Sequence, residues 1–390
     1  MRVTLVSNIF PPSVGGPATH VFHLAQTLHA RGHKVHAVVC TDDPDGAVKV
    51  PYPLIRVSWS VPVPLRYFLV MWHTWRAALR SDVVYINGIE LPSSIGALLA
   101  GRRRVLKVVG DWAWESAVRR GLTTLDIDDF QNASHGVRVR VFQSIQRFYC
   151  WIASVVVVPS AYAGSLVACW GVDTEKTRII QNALTSTPRP DEDSASALRS
   201  MGLKPPVVCN VSRLYAWKNV DALIHMVPRF DLNATLLIVG DGPERPRLER
   251  LARKTGVADR VVFTGDVQHS RVATCLRASN VCVLNTQYEG LSHTLVEARH
   301  VGTPIVTTDV GGNREILSHE HSALLVPFGD SDTFVQAVNR LLHNPAYGHQ
   351  MAKAAQIGLE HFRWDRLVDE TLDVLRDAVH QRGGTTHAAT

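Results

Sequence analysis

The sequence contains no uninterrupted apolar run of about 18 residues, the length a helix needs to cross a bilayer, so no segment reads as a membrane span. Its six cysteines (Cys40, Cys150, Cys169, Cys209, Cys275 and Cys282) form neither a C-x-x-C nor a metal-ligand spacing. Thiols scattered in this way exclude a disulfide framework and point to a reducing compartment. Met1 to Phe10 holds one basic residue and an apolar run broken at Ser7 and Asn8, which is not a secretory leader. These absences together make the cytoplasm the expected location. Low-complexity tracts and solenoid repeats are also missing. Charged residues amount to only 19% against 46% hydrophobic, a balance that excludes a disordered chain.

A chain of 390 residues exceeds one ordinary core, so two domains are expected. The net positive charge lies in the first part. Residues 1–185 carry 19 Lys and Arg against 12 Asp and Glu, giving +7, and the rest carries 22 against 23, giving −1. A basic first domain suits an acidic partner such as phospholipid, a lipid diphosphate or nucleic acid. Nucleic acid has net charge alone in its favour, with no binding motif.

Apolar runs at Val3–Ser7, Val35–Val39, Val83–Ile86, Val105–Val109 and Val155–Val158 alternate with helical patterns. The same grammar returns at Val207–Val211, Leu236–Val239, Val261–Phe263, Val281–Leu284 and Pro304–Thr307. Such alternation predicts an α/β chain with buried parallel sheets. The Ser-, Pro- and acid-rich stretch Ser186 to Ser200 reads as a linker leading into a short helix. The expected division is 1–185, 186–363, a last helix over 364–382, and a flexible tail over 383–390. Two doubly wound domains would face a cleft at the carboxyl ends of their strands, where ligands of open α/β sheets bind.

The chemistry concentrates at strand ends of the second half. After Leu284 a polar loop carries Glu289, Gly290, Leu291, Ser292 and His293 into a helix that holds Glu297. Backbone amides at such a helix start are free donors at a positive end and bind phosphate. Two carboxylates eight residues apart can face one ligand. By itself the segment reads equally as a capped surface helix. Arg213 and Lys218, five apart beyond another strand, can meet one diphosphate, Arg by a planar fork and Lys by a point charge. Gly240 and Gly242 form a tight turn after a third strand, although the third glycine of a dinucleotide fingerprint is missing. Gly311 and Gly312 make a fourth turn into a helix. In the first half, Gly15 and Gly16 open a helix where close backbone approach requires glycine.

These motifs resemble glycosyltransferase family 4, retaining enzymes of the GT-B fold. The resemblance covers nearly the whole chain, most densely Val207 to Glu315. It rests on E-x7-E at Glu289 and Glu297, R-x4-K at Arg213 and Lys218, the Gly240-Asp-Gly-Pro turn and the Gly311-Gly312 loop. It implies two Rossmann-like domains facing a cleft and a final helix crossing back to the first domain. It implies transfer of a hexose-type sugar from a nucleotide diphosphate sugar to a hydroxyl acceptor, in cell-surface polysaccharide or glycolipid synthesis. Under it, Arg213 and Lys218 neutralise the departing diphosphate, Glu289 binds the sugar and Glu297 the ribose. Leu291 and Ser292 amides assist the phosphates, and Gly15-Gly16 meets donor phosphate or acceptor. No protein nucleophile, cofactor or metal is implied. Relatives often carry His after the strand that ends near Val109. Here Gly110-Asp111 stands instead, which makes Asp111 the expected sugar contact and Glu115 a second candidate.

Other signals point less far. Asp126-Ile-Asp128 resembles a metal-binding D-x-D without the strand context that motif needs, and the 18 histidines lack ligand spacing. Residues 119–135 read as an acceptor-facing insertion. Tyr67 to Arg80 and Val137 to Ala153 are basic, aromatic amphipathic helices. Such a helix either covers its own sheet or lies at the inner face of an anionic membrane. A nucleotide-sugar epimerase, another enzyme of the same fold, or a non-catalytic nucleotide-sugar-binding protein are the alternative readings.

Overall fold

A computed structural model describes residues 1–13, 16–43 and 48–380. Gly15 and the expected tail over 383–390 lie outside the described residues, as do the last two positions of the expected 364–382 helix. The chain forms two compact units, one over Met1–Thr123, Gln131–Thr185 and the helix Trp364–His380, the other over Thr124–Phe130 and Ser186–Arg363.

The first unit is a seven-stranded parallel sheet: β1 (Arg2–Ser7), β2 (Lys34–Thr41), β3 (Leu54–Ser58), β4 (Val83–Asn87), β5 (Arg103–Lys107), β6 (Val155–Val158) and β7 (Thr177–Ile179). Its order is β3-β2-β1-β4-β5-β6-β7, so the chain changes direction of travel between β1 and β4. The second unit holds β8 (Val207–Val211), β9 (Thr235–Val239), β10 (Val261–Gly265), β11 (Val281–Leu284), β12 (Ile305–Thr308) and β13 (Leu324–Val326). Its order is β10-β9-β8-β11-β12-β13, with the switch between β8 and β11. Both are doubly wound, and the carboxyl ends flanking a switch point are where such sheets leave room for a ligand.

The inner strands are Val-, Ile- and Leu-rich because both faces are covered; β4, β6 and β11 are buried at every position. In the first unit, Val3, Leu5, Tyr85 and Val105 pack under the helix Gly16–Ala30 and the helix Trp364–His380. The latter lays Leu367, Val368, Leu372 and Leu375 into this core. Trp364 Nε1 donates to Thr27 Oγ1 at 3.0 Å, and Arg31 pairs with Asp369. The last helix is therefore part of the first unit's core, although the second unit precedes it in sequence.

Two segments depart from expectation. Thr124–Phe130 groups with the second unit and not with 1–185, and its apolar residues Ile127 and Phe130 are buried. Ser186 to Ser200 is no free linker. Asp193 caps the helix Ser194–Ser200, Asp191 N–H donates to Thr274 Oγ1 at 2.8 Å, and Glu192 pairs with Arg271. Its acids are matched to the helix His269–Ala278, which fixes it to the second domain.

Leu375 is fully buried. Leu375→Ala is predicted to destabilise the first unit by about 2–5 kcal/mol, the usual cost of a large buried aliphatic. Urea unfolding followed by fluorescence checks this; a loss below about 1 kcal/mol would mean that the last helix carries little of the core.

Candidate active site

In the second unit, β8 and β11 are neighbours, so the loops leaving them meet. The β8 loop is anchored by Leu214, fully buried, whose N–H donates to Asp241 O at 3.0 Å. Arg213 beside it is exposed, its guanidinium 5.2 Å from the centre of the Tyr215 ring. Tyr215 in turn stacks on Trp217 at 4.7 Å with the rings nearly parallel. A short turn, Ala216–Lys218, then presents Lys218, and Asn219 follows in the left-handed region at φ 50°.

The β11 loop is fastened to that turn at a backbone carbonyl. Trp217 O accepts from Gln287 N–H at 2.8 Å and from Thr286 Oγ1 at 3.3 Å. This brings Glu289 against Lys218 in a largely buried ion pair. The far side is held as well: Gly312 N–H donates to Glu289 O at 2.9 Å, and Thr308 Oγ1 donates to Thr286 O at 2.6 Å. Gly311 makes this approach in the left-handed region at φ 50°. Three of the expected segments thus meet at one place.

Gly290 and Leu291 are buried, Ser292 caps the helix His293–Val301 by accepting from Leu295 N–H at 3.4 Å, and His293 begins it. Glu297, inside that helix, is 9% exposed and has no hydrogen bond among the described residues. Burial pushes its carboxyl up to about 8, so it is largely protonated at neutral pH. His269 Nδ1 lies 3.5 Å from its Oε1, and burial lowers the pKa of that ring. The contact therefore joins two neutral groups, not an ion pair. His269 and the stacked pair Tyr215 and Trp217 escape the sequence reading. The aromatics flank R-x4-K and offered a signal, whereas His269 lies 28 positions from its partner and offered none.

Gly240 and Gly242 are required by backbone packing. At Gly240, φ is +123°, and a Cβ would overlap the Ser212 carbonyl oxygen. At Gly242 a Cβ would come within 2.5 Å of Leu214 O. Both glycines let the β9 turn press on the loop that carries Arg213.

In the first unit the expectation for Asp111 is corrected. It is fully buried and caps the helix Trp112–Arg119, accepting from Trp114 N–H at 2.9 Å, Gln146 Nε2 at 3.0 Å and Gln131 Nε2 at 2.9 Å. Burial raises its pKa while these bonds pull it back. With both oxygens occupied and no surface exposed, it is a structural cap and not a sugar contact. Glu115 is half-buried in the first turn of the same helix. Gly16 is the exposed first residue of its helix. Asp126 Oδ1 accepts from Asp129 N–H at 2.7 Å, so the D-x-D segment starts the helix Ile127–Asn132. No cluster of three or more His, Cys, Asp or Glu is placed for a metal among the described residues.

The family model described as glycosyl transferases group 1 matches residues 197–357, and that of the glycosyl transferase 4-like domain matches 15–183. An uncharacterized glycosyltransferase of Methanocaldococcus jannaschii is 26% identical over 98% of this chain and 100% of its own length. A GDP-mannose-dependent alpha-(1-6)-phosphatidylinositol monomannoside mannosyltransferase of Mycobacterium tuberculosis is 28% identical over 96% and 98%. The structure of Anabaena HepE in complex with UDP-glucose superposes with a TM-score of 0.77 at 18% identity, covering 97% of this chain and all of that one. At that identity the likeness is one of fold, which is GT-B.

Glu297 generates a pH prediction. Its ordinary value is 4.5 and its folded value about 8. Between those limits the folded chain keeps a proton that the unfolded chain has released, so this group's contribution to stability falls as pH rises. Below the window it contributes nothing; above it the penalty is complete. Glu297→Gln is predicted to flatten the dependence of unfolding free energy on pH across this window. Urea titrations of both proteins at pH 5 and 8 test it, and identical slopes would contradict the assignment.

Proposed function

Since the chain belongs to the glycosyltransferases of family 4, we propose that it transfers a hexose-type sugar, with retention, from a nucleotide diphosphate sugar to an acceptor hydroxyl. The observation that carries this reading is the Lys218–Glu289 pair with Arg213 beside it, at the adjacent ends of β8 and β11. Two cations on the β8 loop, one exposed and one paired with a largely buried carboxylate, suit a ligand that is anionic at one end and hydroxylated next to it. Arg213 and Lys218 take the diphosphate. Lys218 exchanges Glu289 for phosphate oxygens, and Glu289 turns to the sugar hydroxyls. Glu297, buried and without a hydrogen bond, meets the ribose.

In this reaction the bond from the sugar's anomeric carbon to the phosphate oxygen breaks, and a bond to the acceptor oxygen forms. The acceptor proton passes to the departing phosphate. Charge grows on that phosphate, so cations fixed in advance bind the transition state more tightly than the ground state. Arg213 and Lys218 supply the positive charge, and no metal or cofactor enters the scheme. The printed names of HepE with UDP-glucose and the GDP-mannose-dependent relative support a nucleotide-sugar donor, with uracil and guanine as the bases to test first.

The acceptor we propose is a membrane glycolipid or growing polysaccharide. The helices Val63–Ala78, Glu90–Leu99 and Val137–Ile152 pack side by side on one face of the first sheet. These helices and Leu79 carry eleven of the seventeen exposed large apolar residues among those described, including Phe68 at 53% and Trp151 at 67%. Arg76, Arg80, Arg138, Arg140 and Arg147 are exposed on or next to the first and third of them, and neither of those two contains an acid. Aromatics among cations without acids complement an anionic lipid surface.

Arg213→Ala, Lys218→Ala and Glu289→Ala are each predicted to lower turnover by about 10²–10³ with the fold intact. Circular dichroism and a thermal-shift panel of UDP-, GDP- and ADP-sugars accompany the assay; retained turnover in the Lys218 and Glu289 variants would overturn the assignment. On anionic vesicles the chain is predicted to float at low salt and not at high salt, and Phe148→Ser with Trp151→Ser to reduce flotation. Equal flotation on neutral vesicles, or none on anionic ones, would remove the membrane reading.

A further inference from the structure

Lys107 is the last residue of β5 and only 3% exposed, yet among the described residues it has no ion pair and no hydrogen bond. Burial lowers its ammonium from the usual lysine range to about 7. A buried cation without a partner is costly, and natural cores rarely keep one where an apolar residue fits. Lys107 stands in no core gap but at the carboxyl edge of the sheet, next to the switch between β1 and β4.

The register defines its neighbours. Leu106 pairs with Ile86, so Lys107 lies alongside Asn87 of β4, and Asn87 pairs with Ser7 of β1. Strand alternation turns Ser7, Asn87 and Lys107 to the face already occupied by Leu5, Tyr85 and Val105. Asn87 is 2% exposed and, among the described residues, its amide also has no hydrogen bond. The helix Gly16–Ala30 covers this face. His20, in its second turn, meets Tyr85 Oη through Nε2 at 2.9 Å. The helix start at Gly16 lies one turn beyond, about 6 Å further toward the strand ends. A lysine and an amide, both without a side-chain partner among the described residues, therefore stand at neighbouring strand ends toward which the start of this helix extends.

We propose that Lys107, with Asn87 and the start of the helix Gly16–Ala30, forms an oxyanion subsite in the first domain that takes a phosphate group of the acceptor. The word acceptor rests on the transferase reading above; the phosphate subsite does not. Its residues all belong to the first unit, whereas Arg213 and Lys218 belong to the second. An anion on Lys107 restores the ammonium that burial disfavours, and Asn87 donates to a second oxygen. Asp111, the acid closest in sequence to Lys107, is engaged by Gln131 and Gln146 and does not compete for it.

The test uses the full chain carrying Arg213→Ala and Lys218→Ala, which removes the other phosphate-binding cations. Calorimetric titrations with inorganic phosphate, glycerol 3-phosphate and glycerol are compared with and without Lys107→Met. Both phosphates are expected to bind and glycerol not, and Lys107→Met to weaken the phosphates at least tenfold. Tighter binding of glycerol 3-phosphate than of inorganic phosphate identifies an acceptor ester as the source. Asn87→Asp supplies an internal counter-ion; it is expected to raise the melting temperature and to weaken phosphate by a similar factor. Phosphate binding unchanged by both substitutions, or absent before either, overturns the proposal. Nucleoside diphosphate binding to Lys107→Met with Arg213 and Lys218 restored reads the donor assignment separately: its loss there would count against the subsite's independence, and its absence from the unsubstituted chain against the donor site alone.

Discussion

The second domain is organised around one carbonyl. Trp217 O accepts from both Gln287 N–H and Thr286 Oγ1, and so fixes the loop after β11 to the turn after β8. Next to that carbonyl, Lys218 pairs with Glu289. A buried ion pair contributes little net stability, because desolvation offsets most of the attraction. Here it holds a cation and a carboxylate in a defined relation before any ligand arrives. The strand order β9-β8-β11-β12 is what makes the two loops adjacent, and the Gly240 and Gly242 turn presses on them from one side while Gly312 holds Glu289 from the other.

The two domains share a second feature. Each keeps a buried ionisable group with no oppositely charged partner among the described residues: Glu297 within the helix after β11, and Lys107 at the end of β5. Desolvation pushes the acid up and the base down, toward neutrality in both cases. Perturbed groups of this kind cluster where a ligand completes the environment. Asp111 shows the contrast. It is as deeply buried, yet three donors satisfy it, and it serves the helix it caps.

Much of the architecture was legible from local pattern. The inner strands are read from their Val-rich runs, since a strand covered on both faces has no polar position to show. The short strands β3, β7 and β13 were not, because three to five residues carry too little pattern, and β3 and β7, edge strands of the first sheet, are partly exposed. Ser186 to Ser200 looked like a linker because its acids are visible in sequence and their partner Arg271 is not. Asp111 failed for a similar reason: a polar residue after a buried strand looks the same as a cap or as a ligand contact. Gln131 and Gln146, 20 and 35 residues away, decide between them.

The sequence by itself determined the family, the two-sheet plan and the positions at which cations, carboxylates and glycines leave the strands. These depend on residue type and on spacing within single loops. Tertiary structure alone decided which of those groups face one another, which are satisfied and which are left waiting. Lys218 and Glu289 are 71 residues apart, and their pairing follows from strand order. The raised pKa of Glu297 and the lowered pKa of Lys107 follow from burial. Burial is a property of the packed chain, to which distant segments contribute, and no single stretch of sequence carries it.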